Sequence, residues 1–150
     1  MNEQIINFLK EQTAATICCV DAEAIPYCFT CFYAFNPIEG LVYYKCSPNA
    51  MHSLLIKENA IISGTILPDK LNKMAVKGVQ FSGEVLDPKH LLCFDASFIY
   101  NRKHPMAITI KGEVFTIRLN TVKLTDSTLG FGRKVMWKRN EPGSLFVAYK

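Results

Sequence analysis

No run of apolar residues in this chain approaches the roughly 18 that a helix needs to cross a bilayer. Charged residues fill only 20% of the 150 positions, tryptophan occurs once, and neither internal repeats nor low-complexity stretches are present. Low charge together with 49% hydrophobic residues excludes a disordered chain. The Gly-x-Ser-x-Gly elbow and the Gly-x-x-x-x-Gly-Lys loop are both missing, which removes the simplest serine-hydrolase and P-loop readings. Gly130-Phe131-Gly132 does not open a helix within a βαβ unit, so it is no dinucleotide fingerprint. The opening residues Met1-Asn2-Glu3-Gln4 carry an acid before any base, unlike a secretory signal, and a cytoplasmic protein is expected. The net charge of +4 suits an anionic ligand. No nucleic-acid module pattern is present, so neither nucleic acid nor membrane is expected as a partner.

The six cysteines are Cys18, Cys19, Cys28, Cys31, Cys46 and Cys93. Cys28-x-x-Cys31 has the spacing of half a zinc site, but it falls in an aromatic run that reads as a strand. Side chains three apart on a strand face opposite sides. No second pair follows, so no metal is expected, and the cysteines read as reduced, buried thiols. A nucleophilic cysteine needs a lowered thiol pKa, and Cys46, at a predicted helix start, is the one candidate.

Asn2 predicts the cap of a first helix ending near Gln12, with Ile5, Ile6, Phe8 and Leu9 supplying its apolar side. Strands are predicted over 13–20, 27–35, 41–45, 61–67, 75–86 and 113–124. The second of these is apolar at both parities and predicts a doubly buried strand. Ser47 and Pro48 read as N-cap and first residue of a second helix. Asp87-Pro88 predicts a third helix running to about Tyr100, with Leu91, Leu92, Phe98 and Ile99 as its core side. In the last strand Phe115, Ile117 and Leu119 share one parity and Val122 and Leu124 the other, which predicts a bulge near Asn120-Thr121. Short links favour antiparallel pairing. The expected architecture is mainly β: a single domain over 1–150, built as a six-stranded antiparallel barrel with flanking helices.

The strongest chemical signal is the strand-to-helix junction Tyr44-Lys45-Cys46-Ser47-Pro48. Free N–H groups at a helix start attract anions, and Lys45 and His52 would add to that pull. The alternative is a plain helix cap on a surface turn. His90 and His104 have no partners at metal or triad spacing. Trp137, flanked by Arg133, Lys134, Lys138 and Arg139, would stack on a planar ring or on a partner surface, or pack on the barrel rim.

This order of elements resembles the flavin-binding split barrels similar to pyridoxamine 5'-phosphate oxidase. Particular traits are Pro26-Tyr27 leading into Phe32-Tyr33-Ala34-Phe35, His52 in the second helix, the run from Lys77 to Gly83, and the tail from Val122 to Gly132 followed by Trp137-Lys138-Arg139. The likeness spans nearly the whole chain and is nearest to a small bacterial branch of that superfamily. It implies a homodimer with FMN at the subunit interface. The ring would lie against Phe29, Thr30, Cys31 and Phe32, and the phosphate would meet Lys45, Cys46, Ser47 and His52. Gln80 would stand near the flavin, and Trp137 and Arg139 would come from the partner chain. Where the oxidase carries Arg and Lys this chain has Phe29 and Ala34. The oxidase's Ser-Arg-Lys phosphate triplet falls on Ala50-Met51-His52. Pyridoxamine phosphate oxidation is therefore not expected. The implied function is a flavin-dependent oxidoreductase acting on a small substrate, with no residue standing out as acid or base. The alternatives are a non-catalytic flavin or haem holder and a cofactor-free barrel dimer.

Overall fold

A computed structural model describes residues 1–129 and 134–140. The predicted features at Gly130 to Arg133 and at 142–150 lie outside them. The Asn2 side chain accepts a hydrogen bond from the Gln4 N–H at 2.8 Å and caps α1 (Glu3–Glu11), which ends at Gln12 as predicted. Ile5, Phe8 and Leu9 of this helix are buried in the barrel core, and the Tyr33 hydroxyl donates to the Leu9 carbonyl at 2.7 Å. Seven strands form one antiparallel sheet: β1 (Ala14–Val20), β2 (Pro26–Asn36), β3 (Leu41–Cys46), β4 (Ile61–Ile66), β5 (Lys77–Val85), β6 (Glu113–Asp126) and β7 (Lys134–Lys138). Their order is β3-β2-β1-β4-β5-β6-β7, and β3 also pairs with β6, so six strands close into the expected split barrel and β7 is added to it. Helix α2 (Met51–Glu58) joins β3 to β4, and α3 (Ala96–Lys103) stands between β5 and β6.

β6 closes the barrel because it changes partners halfway. Its first half pairs with β3 and β5, its second half with β5 and β7. The change falls at the predicted bulge: Ser82 opposes Thr121 while Gly83 opposes Leu119, leaving Asn120 as the extra residue. The extra residue restores the inward parity, so Ile117, Leu119, Val122 and Leu124 all reach the core. Gly64 of β4 allows the sheet to fold tightly here. A Cβ on it would lie 2.4 Å from the Phe81 ring and 2.6 Å from the Thr16 carbonyl.

Three local expectations are corrected. The predicted helix from Asp87 is instead a 3-10 turn at Leu91–Cys93 followed by α3. Of the expected core side, Leu92 and Ile99 pack against the cluster around Ala34, Leu41 and Tyr43 while Leu91 and Phe98 are exposed, and the fully buried positions of α3 are Ala96 and Tyr100. Helix α2 begins at Met51 rather than behind Ser47. The Ser47 carbonyl already accepts from the Ala50 N–H and the Ser53 hydroxyl, so residues 47–50 form a turn before the helical ladder starts. In β2 only Tyr33, Ala34 and Phe35 are fully buried. α3 and the 3-10 turn Pro105–Thr109 cover that end alone, and the outer side of Pro26 to Phe32 is bare.

Candidate functional site

The antiparallel register builds the bare face row by row. Thr30 on β2 opposes Thr16 on β1, Thr16 opposes Thr65 on β4, and Thr65 opposes Gln80 on β5. The Thr16 and Thr30 hydroxyls lie 3.4 Å apart. Phe32 is one outward step from Thr30. It opposes Ala14, is 60% exposed, and its ring stands 5.8 Å from that of His104. Thr16, Thr30, Thr65 and Gln80 are neutral, so this row donates and accepts hydrogen bonds but offers no acid or base.

Alternation along β2 divides the four residues expected against a flavin ring. Thr30 and Phe32 face out, whereas Phe29 and Cys31 turn inward and pack at the margin of the core with Cys46. Burial pushes the Cys31 thiol up to about 12, so it stays protonated. Cys46 is raised by burial as well, and its Sγ sits 3.2 Å from the Ser53 hydroxyl. The reading of Cys46 as a nucleophile loses its basis, because desolvation disfavours the thiolate. The uniform reading of the cysteines as reduced thiols is corrected too: Cys18 and Cys28, directly opposed across β1 and β2, are joined by a disulfide. Cys28 and Cys31 do face opposite sides, as expected, and no cluster of metal-ligating side chains occurs among the described residues.

The expected phosphate corner is likewise divided. Lys45 points to the outer side, where its Nζ donates to the Ala107 carbonyl at 2.7 Å, in a cleft of about 370 Å³ shared with Ser97, Asn101 and Glu113. The Ser47 hydroxyl accepts from the Asn49 N–H within its own turn. The His52 ring is stacked on Phe29 at 3.8 Å, and burial lowers its pKa, which favours the neutral ring. His52 Nε2 and the Tyr44 hydroxyl are both buried without a hydrogen-bond partner, and both rings contact Phe29. Buried polar atoms are rarely left so, and a pair of them beside one ring marks a place where a water or a ligand atom would be satisfied. The N-cap of α2, Ala50, has no side-chain oxygen to meet the first-turn amides. A cation that sequence reasoning missed stands nearby: Lys57, one helix length away, donates back to the Pro48 carbonyl at 3.4 Å. A basic residue near the C-terminus of a short helix was its only signal.

Trp137 and Arg139 hold their own chain. Trp137 opposes Val122 across β6 and β7 and packs against the barrel core, so the rim-packing reading describes it. The Arg139 guanidinium lies 5.4 Å from the Trp137 ring. It donates to the carbonyls of Leu119 (2.7 Å), Glu39 (3.0 Å) and Gly40 (3.0 Å). Gly40 turns β2 into β3 at φ +64, and a Cβ there would meet the guanidinium at 3.0 Å. The two residues thus fill the wedge where β6 leaves β3.

The chain is 33% identical over 139 residues to the UPF0306 protein plu4501 of Photorhabdus laumondii, covering 92% of this chain and 96% of that protein. It belongs to the UPF0306 family. The UPF0306 protein YhbP of Escherichia coli is 32% identical over 136 residues, covering 91% of this chain and 92% of YhbP. No protein-family model matches the chain. Among solved structures, this UPF0306 barrel resembles a heme binding protein from Mycobacterium smegmatis, with TM-score 0.72 and 16% identity over 87% of this chain and 55% of the other. It also resembles a FAD-binding protein from Mesorhizobium loti (TM-score 0.62, 14% identity, 81% and 92% covered). A third neighbour is HutZ, a heme storage protein from Vibrio cholerae (TM-score 0.58, 16% identity, 78% and 88% covered). At these identities the likeness shows the fold: a split barrel that other proteins use to hold flavin or haem.

Proposed function

We propose that this UPF0306 protein is a homodimer that binds a planar redox cofactor of the flavin class, FMN being the first candidate, at the seam between two barrels. The observation that carries the reading is the bare outer face of β2, β1, β4 and β5. Phe32 stands on it with its ring beside that of His104, and Met106, Ile108, Ile110, Ile61 and Leu67 are exposed as well. Several large apolar side chains exposed beside a neutral polar row are a combination suited to an interaction face. The split-barrel neighbours that hold flavin or haem support a cofactor role.

The residues fit a planar ring better than they fit a phosphate. Thr30, Thr16, Thr65 and Gln80 offer neutral hydrogen-bonding groups at the ring's edge, and Phe32 an apolar surface. The phosphate half rests on the uncapped amides of α2 and on Lys57, whose exposed contact with the Pro48 carbonyl is long at 3.4 Å, since Lys45 is bonded to Ala107 at 2.7 Å and His52 is disposed to be neutral. When bound, a flavin supplies hydride transfer, and the protein's share is binding and orientation. A second reading, a holder that binds flavin or haem without turnover, is favoured by the absence of ionisable side chains in the Thr16–Thr30–Thr65–Gln80 row.

Titrating FMN into the purified protein and following flavin fluorescence tests the proposal, with light scattering for mass. The parent should be a dimer that quenches the flavin. Phe32→Asp, with its core untouched, should be a folded monomer with weakened binding. Haem in place of FMN, and bleaching by NADH or NADPH, separate the holder from the oxidoreductase. A parent that is monomeric and leaves both ligands free would end the proposal.

A further inference from the structure

Cys18 and Cys28 occupy directly opposed positions on β1 and β2, with Cα atoms 4.2 Å apart, on the outer side of the barrel. Cys28 is exposed and Cys18 half-buried. The free thiols differ in kind. Cys19 is buried with its Sγ on the Tyr27 carbonyl, and Cys31 and Cys46 pack against the core. Cys93 is half-buried and contacts the Asp87 carbonyl. One pair thus combines proximity and access.

The hairpin around this pair does not need the bond. Seven registered residue pairs join β1 to β2, from Ala14 and Phe32 to Val20 and Pro26. The turn is closed by its own contacts: the Asp21 side chain accepts from the N–H groups of Glu23 and Ile25, and the Asp21 N–H donates to the Ile25 carbonyl. The strands therefore keep the two sulfurs in reach of each other in either oxidation state. Directly opposed positions in an antiparallel ladder keep their side chains in contact range whether or not a bond joins them.

We propose that Cys18 and Cys28 form a reversible dithiol–disulfide site that exchanges with low-molecular-weight thiols and disulfides of the glutathione class. In the oxidising direction the more exposed Cys28, as thiolate, attacks one sulfur of the small disulfide. The small S–S bond breaks, one small thiolate leaves, and a mixed disulfide remains on Cys28. Cys18, having lost its proton to solvent, then attacks the Cys28 sulfur, the mixed bond breaks, and the second small thiolate leaves. The protein pair loses two electrons and two protons, and the small disulfide is reduced to two thiols. Reduction runs through the same steps backwards. A disulfide that small thiols can reach exchanges more readily than a buried one, which fits a reversible surface pair better than a fixed staple. The pair stands at the turn end of the same outer face, one outward step beyond Thr16 and Thr30, so the site requires the proposed seam to leave that end of the hairpin open; it does not depend on the cofactor.

The test is equilibration of the native, full-length protein in buffers of oxidised and reduced glutathione, followed by acid quenching, thiol alkylation and peptide mass analysis. The expected result is interconversion of the Cys18–Cys28 bond with the free pair, no glutathione retained, Cys19, Cys31 and Cys46 unchanged, and an unaltered circular dichroism spectrum. Cys18→Ser should accumulate one glutathione on Cys28, and Cys28→Ser should react several-fold more slowly. The proposal is overturned if the native pair resists both buffers or reacts only when the protein unfolds. It also fails if the two cysteines carry separate glutathione adducts, or if the bond forms between other cysteines.

Discussion

Replacing Arg139 by methionine separates two roles that its sequence position leaves open. As a ligand to the partner's cofactor, Arg139 would matter for binding and little for folding. In the structure its guanidinium instead serves three carbonyls, those of Leu119, Glu39 and Gly40, at 2.7, 3.0 and 3.0 Å. Hydrogen bonds from a charged donor contribute about 1.5–3 kcal/mol each when counted singly. These three share one half-exposed side chain, and water can replace part of what is lost, so their sum overstates the effect. Methionine keeps much of the aliphatic stem and removes the donors together with the guanidinium over Trp137, and a loss of about 2–4 kcal/mol is expected. For a domain of this size that lowers Tm by about 5–12 °C. Thermal and urea unfolding without any added ligand are the assays, with FMN titration beside them. A ligand-free Tm within about 1 °C of the parent would refute the reasoning. Weakened FMN binding in that same variant would show that the guanidinium reaches the cofactor after all.

Other substitutions probe the remaining supports. Gly64→Ala would place a methyl group against the Phe81 ring and the Thr16 carbonyl, and should cost about 2–4 kcal/mol in urea unfolding, whereas a parent-like midpoint would mean that β4 and β1 can part without penalty. Lys103 donates to the Gln12 carbonyl at 2.7 Å and lies 4.6 Å from the Tyr33 ring, tying α3 to the end of α1, so Lys103→Met should lower stability by about 1–2 kcal/mol. Burial lowers the His52 pKa below its ordinary 6.5, so the unfolded chain takes up the proton first. Stability should fall as pH drops from above 6.5 towards the folded value and then level off, and His52→Phe should flatten that part of the profile. An unchanged slope would exclude His52 as its source. Asp126 works at lower pH: burial raises its pKa, but hydrogen bonds from Thr128 and Lys77 outweigh that and hold it below the usual carboxylate range. The stabilisation is present above pH ~4 and is lost as pH falls through the folded value, so Asp126→Asn should remove it, read by acid unfolding.

Much of the fold was legible locally. The Asn2 cap, the six strands of the barrel and the bulge at Asn120 follow from capping chemistry, apolar alternation and one slip of parity, all of which act over a few residues. The third helix was misread in part: Leu92 and Ile99 pack as expected, but Leu91 and Phe98 are apolar yet exposed, and the fully buried positions are the small Ala96 and the aromatic Tyr100. Which apolar residues a short helix buries depends on the shape of the sheet beneath it. The start of α2 was misplaced for a related reason: Ser47 has cap chemistry, but its carbonyl is taken by Ala50 and Ser53.

The candidate site was less legible than the barrel. Phe29, Thr30, Cys31 and Phe32 are neighbours in sequence, and alternation sends two of them to the core and two to the bare face. Lys45 and His52 read as one basic corner, but Lys45 crosses to the Ala107 carbonyl and His52 stacks on Phe29 with its Nε2 buried. The disulfide had no sequence signal beyond two cysteines ten residues apart, since a pairing needs the register of β1 against β2.

Chain chemistry alone determined the strand periodicity and the helix at the start, because these arise from contacts between near neighbours and from the need to bury alternate side chains. Only the tertiary structure decided which face stays bare, which thiols meet, and that Arg139 answers carbonyls of its own chain. Those outcomes depend on groups far apart in sequence competing for the same partners, and that competition is resolved when the barrel closes.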